Sequence, residues 1–319
     1  MVNQVLTPMK FVTITANPSY DDSYQIPRLS ADDVVRASVC ETRPGGKGIN
    51  VSRVLHALKK PTLALALAGR DNAALFEQAL RKEGLPLELL YTGGQIRRNL
   101  NLLLENGTSY KINAAGPVVD AAARTALNER LASVLDAGDC CVFSGSLPRG
   151  MEKKDLFPLA GTAAKNGARL VLDVDFLTLE DLTSLRPWLI KPNLHELLRL
   201  CDGQPGNPLA GLPQNGDGAA NQSGLPERAR QAAAWLRNRT GTEQVLLTLG
   251  ETGAVLAAEG EPLYLPAPKL KAVTTVGAGD TALAAFLAAK NDGFSDKECL
   301  RSAIELSAAV CRGDGPLGG

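Results

Sequence analysis

Aromatic residues are scarce, at 4% of 319 positions, and histidine occurs only twice, at His56 and His195. The first shortage argues against an aromatic-rich β-sandwich. Hydrophobic residues make up 45%, with Ala, Leu and Gly prominent, which suits helices packed on a sheet. With so little histidine, and no Cys-x-x-Cys spacing among Cys40, Cys140, Cys141, Cys201, Cys299 and Cys311, a Cys/His zinc site has no support. The thiols read as reduced and mostly buried, as in a cytoplasmic protein. Charge of either sign is also not in excess, since 34 Lys plus Arg balance 34 Asp plus Glu. No global field therefore recruits nucleic acid or an anionic membrane, and any polyanion must be gripped locally. No stretch approaches the roughly 18 apolar residues of a membrane span. The best candidate, Leu63 to Ala68, is strand-sized, and the N-terminal residues make a poor secretory signal.

What is present is alternation. Short β-rich runs at Phe11–Thr15, Leu63–Leu67, Cys140–Phe143, Leu170–Asp173, Trp188–Ile190 and Val245–Leu249 are separated by stretches with apolar residues three and four apart, such as Val51, Val54, Leu55 and Leu58. Strand, helix, strand at this spacing predicts an α/β fold with a parallel sheet covered on both faces. One domain is expected over residues 1–319. Two segments, about 18–41 and 87–113, contain strand-like pieces without helices between them and are expected to form a small β-sheet lid. A lid with one apolar face predicts a homodimer through the lid strands. Residues 203–226, rich in Gly, Pro, Asn and Gln, read as a mobile insertion.

Two stretches carry chemistry. Gly277-Ala-Gly-Asp280 precedes an Ala/Leu-rich helix running to about Asn291. Glycines there allow close backbone approach, and N–H groups at a helix start point toward an anion. Asp280 would then be a carboxylate beside bound phosphate, which makes sense if it takes a proton during chemistry. The plainer alternative is a turn whose Asp caps the helix. Gly45-Gly-Lys-Gly-Ile-Asn50 offers a flexible loop with a cation, Lys47, and an amide, Asn50, able to hydrogen-bond sugar hydroxyls. Neither stretch is a dinucleotide fingerprint, because Ala282 stands where a third Gly is needed, nor a P-loop, because Gly48 follows Lys47.

Together with Asn17-Pro-Ser-Tyr-Asp21, Ser144-Gly-Ser-Leu-Pro148 and Lys191-Pro-Asn-Leu-His-Glu196, these stretches occur in the order seen in the ribokinase-like (PfkB) carbohydrate kinases. The resemblance spans residues 11 to about 312. It implies a three-layer α/β/α fold with a mostly parallel sheet and a kinase using ATP and Mg²⁺. The Asn-Pro-x-x-Asp opening and Ile96-Arg97-Arg98-Asn99 resemble the branch acting on phosphorylated sugars. That implies fructose 1-phosphate as acceptor, with tagatose 6-phosphate as the alternative and a non-catalytic sugar-phosphate sensor as a reading from another class. By the same resemblance Asp280 would be the base, and the N–H groups of Gly277, Ala278 and Gly279 would hold the transferred phosphoryl group. Asp21, Gly45, Gly46 and Asn50 would bind the sugar, and Lys47, Arg97 and Ser146 its phosphate. Lys191, Asn193, Glu196, Thr248, Gly250 and Gly253 would line the nucleotide side, with Glu196 meeting Mg²⁺ through water. Departures from the pattern are Asp173-Val-Asp-Phe, where relatives show Asp-Ser/Thr-Ser-Gly, Leu75 in place of a Gly, and the absence of a closing helix after Cys311-Arg-Gly-Asp-Gly.

Overall fold

The structure, a computed structural model, describes residues 9–31, 34–213 and 224–315. Elements are numbered in chain order. The main sheet contains β1 (Phe11–Thr15), β4 (Thr62–Gly69), β5 (Leu87–Thr92), β8 (Cys140–Ser144), β9 (Arg169–Asp173), β10 (Leu189–Ile190), β11 (Gln244–Thr248), β12 (Ala254–Ala257) and β13 (Leu263–Leu265), in the order β13-β12-β11-β10-β9-β8-β1-β4-β5. Every pairing from β11 to β5 is parallel, and only β12 runs against the rest, pairing antiparallel with β11 and β13.

Parallel pairing forces a crossover between strands, and the crossovers supply the two helical layers. Helices α1 (Lys47–Ala57), α2 (Ala73–Lys82), α8 (Ala278–Asn291) and α9 (Asp296–Arg312) cover one face. Helices α3 (Ala121–Val134), α4 (Leu156–Lys165), α5 (Leu179–Leu185), α6 (Leu194–Cys201) and α7 (Leu225–Thr240) cover the other. β1 shows why its sequence does not alternate. Phe11 packs toward α1 and α8, Val12 and Ile14 pack toward α3 to α7, and all five residues are buried. α8 is buried from Asp280 to Ala289, which explains its nearly unbroken apolar sequence.

The small sheet is real but smaller than the sequence suggests. It comprises β2 (Ser19–Ile26), β3 (Val39–Gly45), β6 (Arg97–Leu104) and β7 (Ser109–Ile112), in the order β3-β2-β6-β7. Leu87–Thr92, expected in the lid, instead pairs with β4 as the edge of the main sheet. β3 runs on to Gly45, so the lid delivers the chain directly into α1. Of the expected insertion, residues 203–213 are packed down, with Leu209 and Leu212 buried and the Pro208 and Ala210 carbonyls accepting from Arg228. Residues 214–223 lie outside the described residues. The four cysteines Cys140, Cys141, Cys201 and Cys299 are buried and free.

α1 lies against β1 with no room to spare. A Cβ at Gly48 would stand 2.6 Å from Thr15 Oγ1 and 2.8 Å from the Ile14 carbonyl oxygen. Ala is worth about 1 kcal/mol over Gly in a helix interior. Overpacking against backbone, which cannot swing aside, costs roughly 1–3 kcal/mol and wins. Gly48→Ala is therefore expected to lower the denaturant midpoint. A midpoint equal to or above that of the parent would show that α1 can lift from β1.

Candidate active site

Asn17, Gly145, Asp173, Lys191 and Thr248 end or follow β1, β8, β9, β10 and β11, so the parallel strands bring polar side chains to one edge of the sheet. That edge, outside the carboxyl ends of parallel strands, is where open α/β sheets bind ligands. α1 and α8 both begin there. Gly46 (φ 141°) starts α1, and Gly277 (φ 76°) starts α8, a conformation that strains any residue with a Cβ.

Asp280 is the third residue of α8 and caps nothing. The helix has no side-chain cap among the described residues; its Ala278 N–H makes only a long bond to the Thr275 carbonyl, at 3.4 Å, which leaves the first turn able to receive an anion. The Asp280 carboxylate instead accepts from Asn50 Nδ2 at 2.8 Å. Asn50 is set by Arg53, which donates to its Oδ1 at 2.9 Å and also holds Glu83 and the Pro44 carbonyl. Burial and the nearby Asp173 charge push the Asp280 carboxyl up to about 6, against the opposing pull of Asn50, Lys47 and Lys191. A carboxyl in that range can accept a proton near neutral pH.

Asp173 is 1% exposed and sits between two lysines. Lys191 Nζ lies 3.1 Å and Lys47 Nζ 3.4 Å from the same oxygen, Oδ1, while Ser144 Oγ donates to Oδ2 at 3.0 Å. Burial works against the charge on Asp173, but the two lysines and their hydrogen bonds hold its carboxyl below the usual range. Burial likewise opposes the Lys47 charge, and Asp173, Asp280 and Glu196 outweigh it and raise its pKa.

The lid faces this edge. β2 and β6 pair in parallel, with Asp21 opposite Asn99 and Ser19 opposite Arg97. Asp21 Oδ1 accepts from Asn99 Nδ2 at 2.8 Å and from Ser19 Oγ at 3.0 Å. A Cβ at Gly45 would fall 3.2 Å from Asn50 Oδ1 and 3.7 Å from Asp21 Oδ2, so Gly45 leaves the gap between Asn50 and Asp21 open. Arg97 and Arg98 diverge. Arg98 pairs with Asp22 and stacks on Tyr20. Arg97 forms no ion pair among the described residues, donates to the Ala114 carbonyl, and has a buried Nε–H without a partner. Burial lowers its pKa despite the pull of Asp21.

The expected site residues therefore assemble in one place with few exceptions. Ser146 is exposed at the mouth, accepting from Asn17 Nδ2 at 3.3 Å. Asn193 and Glu196 are bound to each other in a capping box at the start of α6, Asn193 Oδ1 accepting from the Glu196 N–H and Glu196 Oε2 from the Asn193 N–H. Thr248 bridges to Asn193, and the turn at Gly250 closes through Gly253, where a Cβ would meet the Leu265 carbonyl oxygen at 2.1 Å. A cleft of about 850 Å³, lined by residues including Asp175, Thr178, Arg199 and Arg239, opens beside the site and touches it at Lys191 and Glu196.

Residues 12–317 match the pfkB family carbohydrate kinase. The chain belongs to that family. It is 32% identical to a 1-phosphofructokinase of Xanthomonas campestris over 95% of this chain and 91% of the relative. It is 29% identical to a D-tagatose-1-phosphate kinase of Bacillus licheniformis over 91% and 89%. The crystal structure of Escherichia coli phosphofructokinase-2 in complex with fructose-6-phosphate superposes with a TM-score of 0.83 at 25% identity, covering 95% of this chain and 94% of that one. This pfkB chain is a sugar kinase that transfers a phosphoryl group from ATP to a sugar phosphate.

Three further residues hold the site in place: Asp173, Arg53 and Asn99. In the sequence, Asp173 enters only as a departure, although its place at the end of an apolar strand is a signal; Asn99 enters only as part of the Ile96–Asn99 stretch, and Arg53 carries no signal. Because the Asp280 carboxyl is raised on folding, ionising it weakens the folded state as pH climbs from about 4 through about 6. Asp280→Asn lacks that penalty. Its melting temperature is expected to gain on the parent across this window and to hold the gain at pH 8. Parallel melting curves against pH would contradict a strained carboxyl.

Proposed function

We propose that the chain is a 1-phosphofructokinase, transferring the γ-phosphoryl group of ATP to the C6 hydroxyl of fructose 1-phosphate to give fructose 1,6-bisphosphate. The observation that carries this reading is Arg97, a cation facing the cleft from the lid with an unmet buried donor and no ion pair among the described residues. A substrate that already bears a phosphate needs a fixed cation away from the base, and guanidinium suits a phosphate's oxygens. The names of the Xanthomonas campestris and Bacillus licheniformis relatives both point to a ketose 1-phosphate, whereas the superposed Escherichia coli structure holds fructose-6-phosphate.

In this reading Asp21, Gly45 and Asn50 hold the sugar hydroxyls. Lys47 and Ser146 join Arg97 around the 1-phosphate. Asp280 takes the C6 hydroxyl proton as that oxygen bonds to the γ-phosphorus and the bond to ADP breaks. The N–H groups of Gly277, Ala278 and Gly279, with Lys191, hold the charge on the moving phosphoryl oxygens. Lys191, Asn193, Glu196, Thr248, Gly250 and Gly253 border the nucleotide. Among the described residues no three acidic, His or Cys side chains converge on a metal position, and Asp173 is taken by lysines. That donor set fits Mg²⁺ held largely by phosphate oxygens and water, with Glu196 reaching one of its waters. Bound there, Mg²⁺ would offset negative charge on the ATP phosphates. Exposed Tyr110 and Ile112, on one lid face with the half-buried Leu102 and Leu100 opposite them, support a homodimer through the lid strands.

A second reading, D-tagatose 1-phosphate as acceptor, draws on the Bacillus licheniformis relative. Both acceptors place phosphate at C1, so the relative favours that end over the tagatose 6-phosphate alternative. ADP formation should be measured over fructose 1-phosphate, tagatose 1-phosphate, tagatose 6-phosphate and fructose 6-phosphate. The highest kcat/KM is expected for fructose 1-phosphate, and Arg97→Ala should raise its KM at least tenfold, by roughly 1.4 kcal/mol of lost binding, while leaving the ATP KM within about threefold. Preference for another acceptor overturns the substrate. Equal KM effects would make Arg97 structural, and binding without turnover would make the chain a sensor.

A further inference from the structure

The least explained feature of the site is the destination of its lysines. Lys47 comes from the start of α1 and Lys191 from the strand end after β10, yet both ammonium groups meet one oxygen of Asp173. Asp280 has no ion pair within 4 Å among the described residues, and its polar partner is the neutral amide of Asn50. The cations are thus held beside the base without being bonded to it. A lysine paired with Asp280 would lower its basicity and remove it as a proton acceptor.

We propose that Asp173 is a positioning residue that keeps Lys47 and Lys191 off Asp280. One buried carboxylate anchors both cations through Oδ1, and Ser144 fixes that carboxylate through Oδ2. This leaves Asp280 with an amide partner, and leaves the lysines where incoming phosphate oxygens can share them. The groups facing Asp280 are Asn50 and Lys47 from α1, Asp173 from β9 and Lys191 after β10, with Glu196 of α6 facing Lys47. Removing the Asp173 charge acts on Asp280 twice in the same direction. A like charge disappears, and two cations lose their anchor and turn to the nearest carboxylate left.

This inference rests on the kinase reading for its kinetic part alone. The test is Asp173→Asn, read first by ¹³C NMR of aspartate labelled at the carboxyl carbon, which follows the Asp280 titration without substrate and is assigned with Asp280→Asn. The Asp280 midpoint is expected to fall by about one pH unit or more. The acid limb of kcat/KM should fall with it, and kcat at neutral pH by roughly tenfold or more. An unmoved or raised midpoint overturns the proposal, as does an activity loss equal at every pH. If the single variant does not fold, the double variant Asp173→Asn/Lys191→Met avoids a stranded buried cation, and Lys47 alone should still lower the midpoint. A chain that fails to turn over fructose 1-phosphate yet shows the NMR shift would sink the substrate reading and leave this one standing.

Discussion

A single hydrogen bond, Asn50 Nδ2 to Asp280, joins two helices whose contacting residues are 230 positions apart. Asn50 is oriented by Arg53, and Arg53 also reaches the Pro44 carbonyl at the end of the lid strand β3. The carboxylate at the start of α8 is thereby tied to the same residues that fix where the lid meets α1. Geometry at this point requires close approach. Gly48 lets α1 lie on β1, and Gly46 turns the chain against Thr15, where a Cβ would sit 2.6 Å from Cγ2. If α1 shifts, the amide leaves the carboxylate and the cleft beside Gly45 changes shape.

The same arrangement sets function against stability. Ten consecutive residues of α8 are buried, and Asp280 is the first of them. An apolar residue there would suit the helix better, since a buried carboxylate with one neutral donor is costly when ionised. The fold tolerates it because two helical layers and a sheet of mostly parallel strands already fix the position. Around it, charge is nearly balanced, with Lys47 and Lys191 on Asp173 and a helix N-terminus open toward the cleft. A dianionic phosphate entering that space meets cations and N–H groups that are already placed, so little reorganisation is needed.

Much of this was legible in the sequence. The alternation of apolar runs with helical spacing located the strands around Phe11, Leu65, Val142, Val171 and Val245 and the helix after Gly277. Gly277 to Asp280 could be read either as a capped core helix or as a phosphate cradle, because both need small residues before an apolar run. What separates them is the direction of one carboxylate, toward Asn50 rather than toward its own helix, and direction is not written in local spacing. β5 departs from the expected lid for a related reason. Leu87 to Thr92 leads into β6 with no helix between, and neighbouring strands in sequence give no sign that one of them pairs with β4 instead. Arg97 and Arg98 are consecutive and chemically alike, yet strand alternation sends one into the cleft and the other onto Asp22. Asp173 was the hardest to value, since its partners Lys47 and Lys191 come from distant elements and only the sheet order brings them together.

The measurement that bears most directly on the account is the single-turnover rate of phosphoryl transfer, at saturating ATP and fructose 1-phosphate, across pH 5 to 8. With Asp280 as base and its carboxyl near 6, the logarithm of the rate should rise with unit slope below about pH 6 and level above it. In Asp280→Asn the rate should be lower by roughly 10²-fold or more and the limb should vanish. A rate that is flat with pH, or a limb that persists in the variant, would contradict the assignment of Asp280 as the proton acceptor.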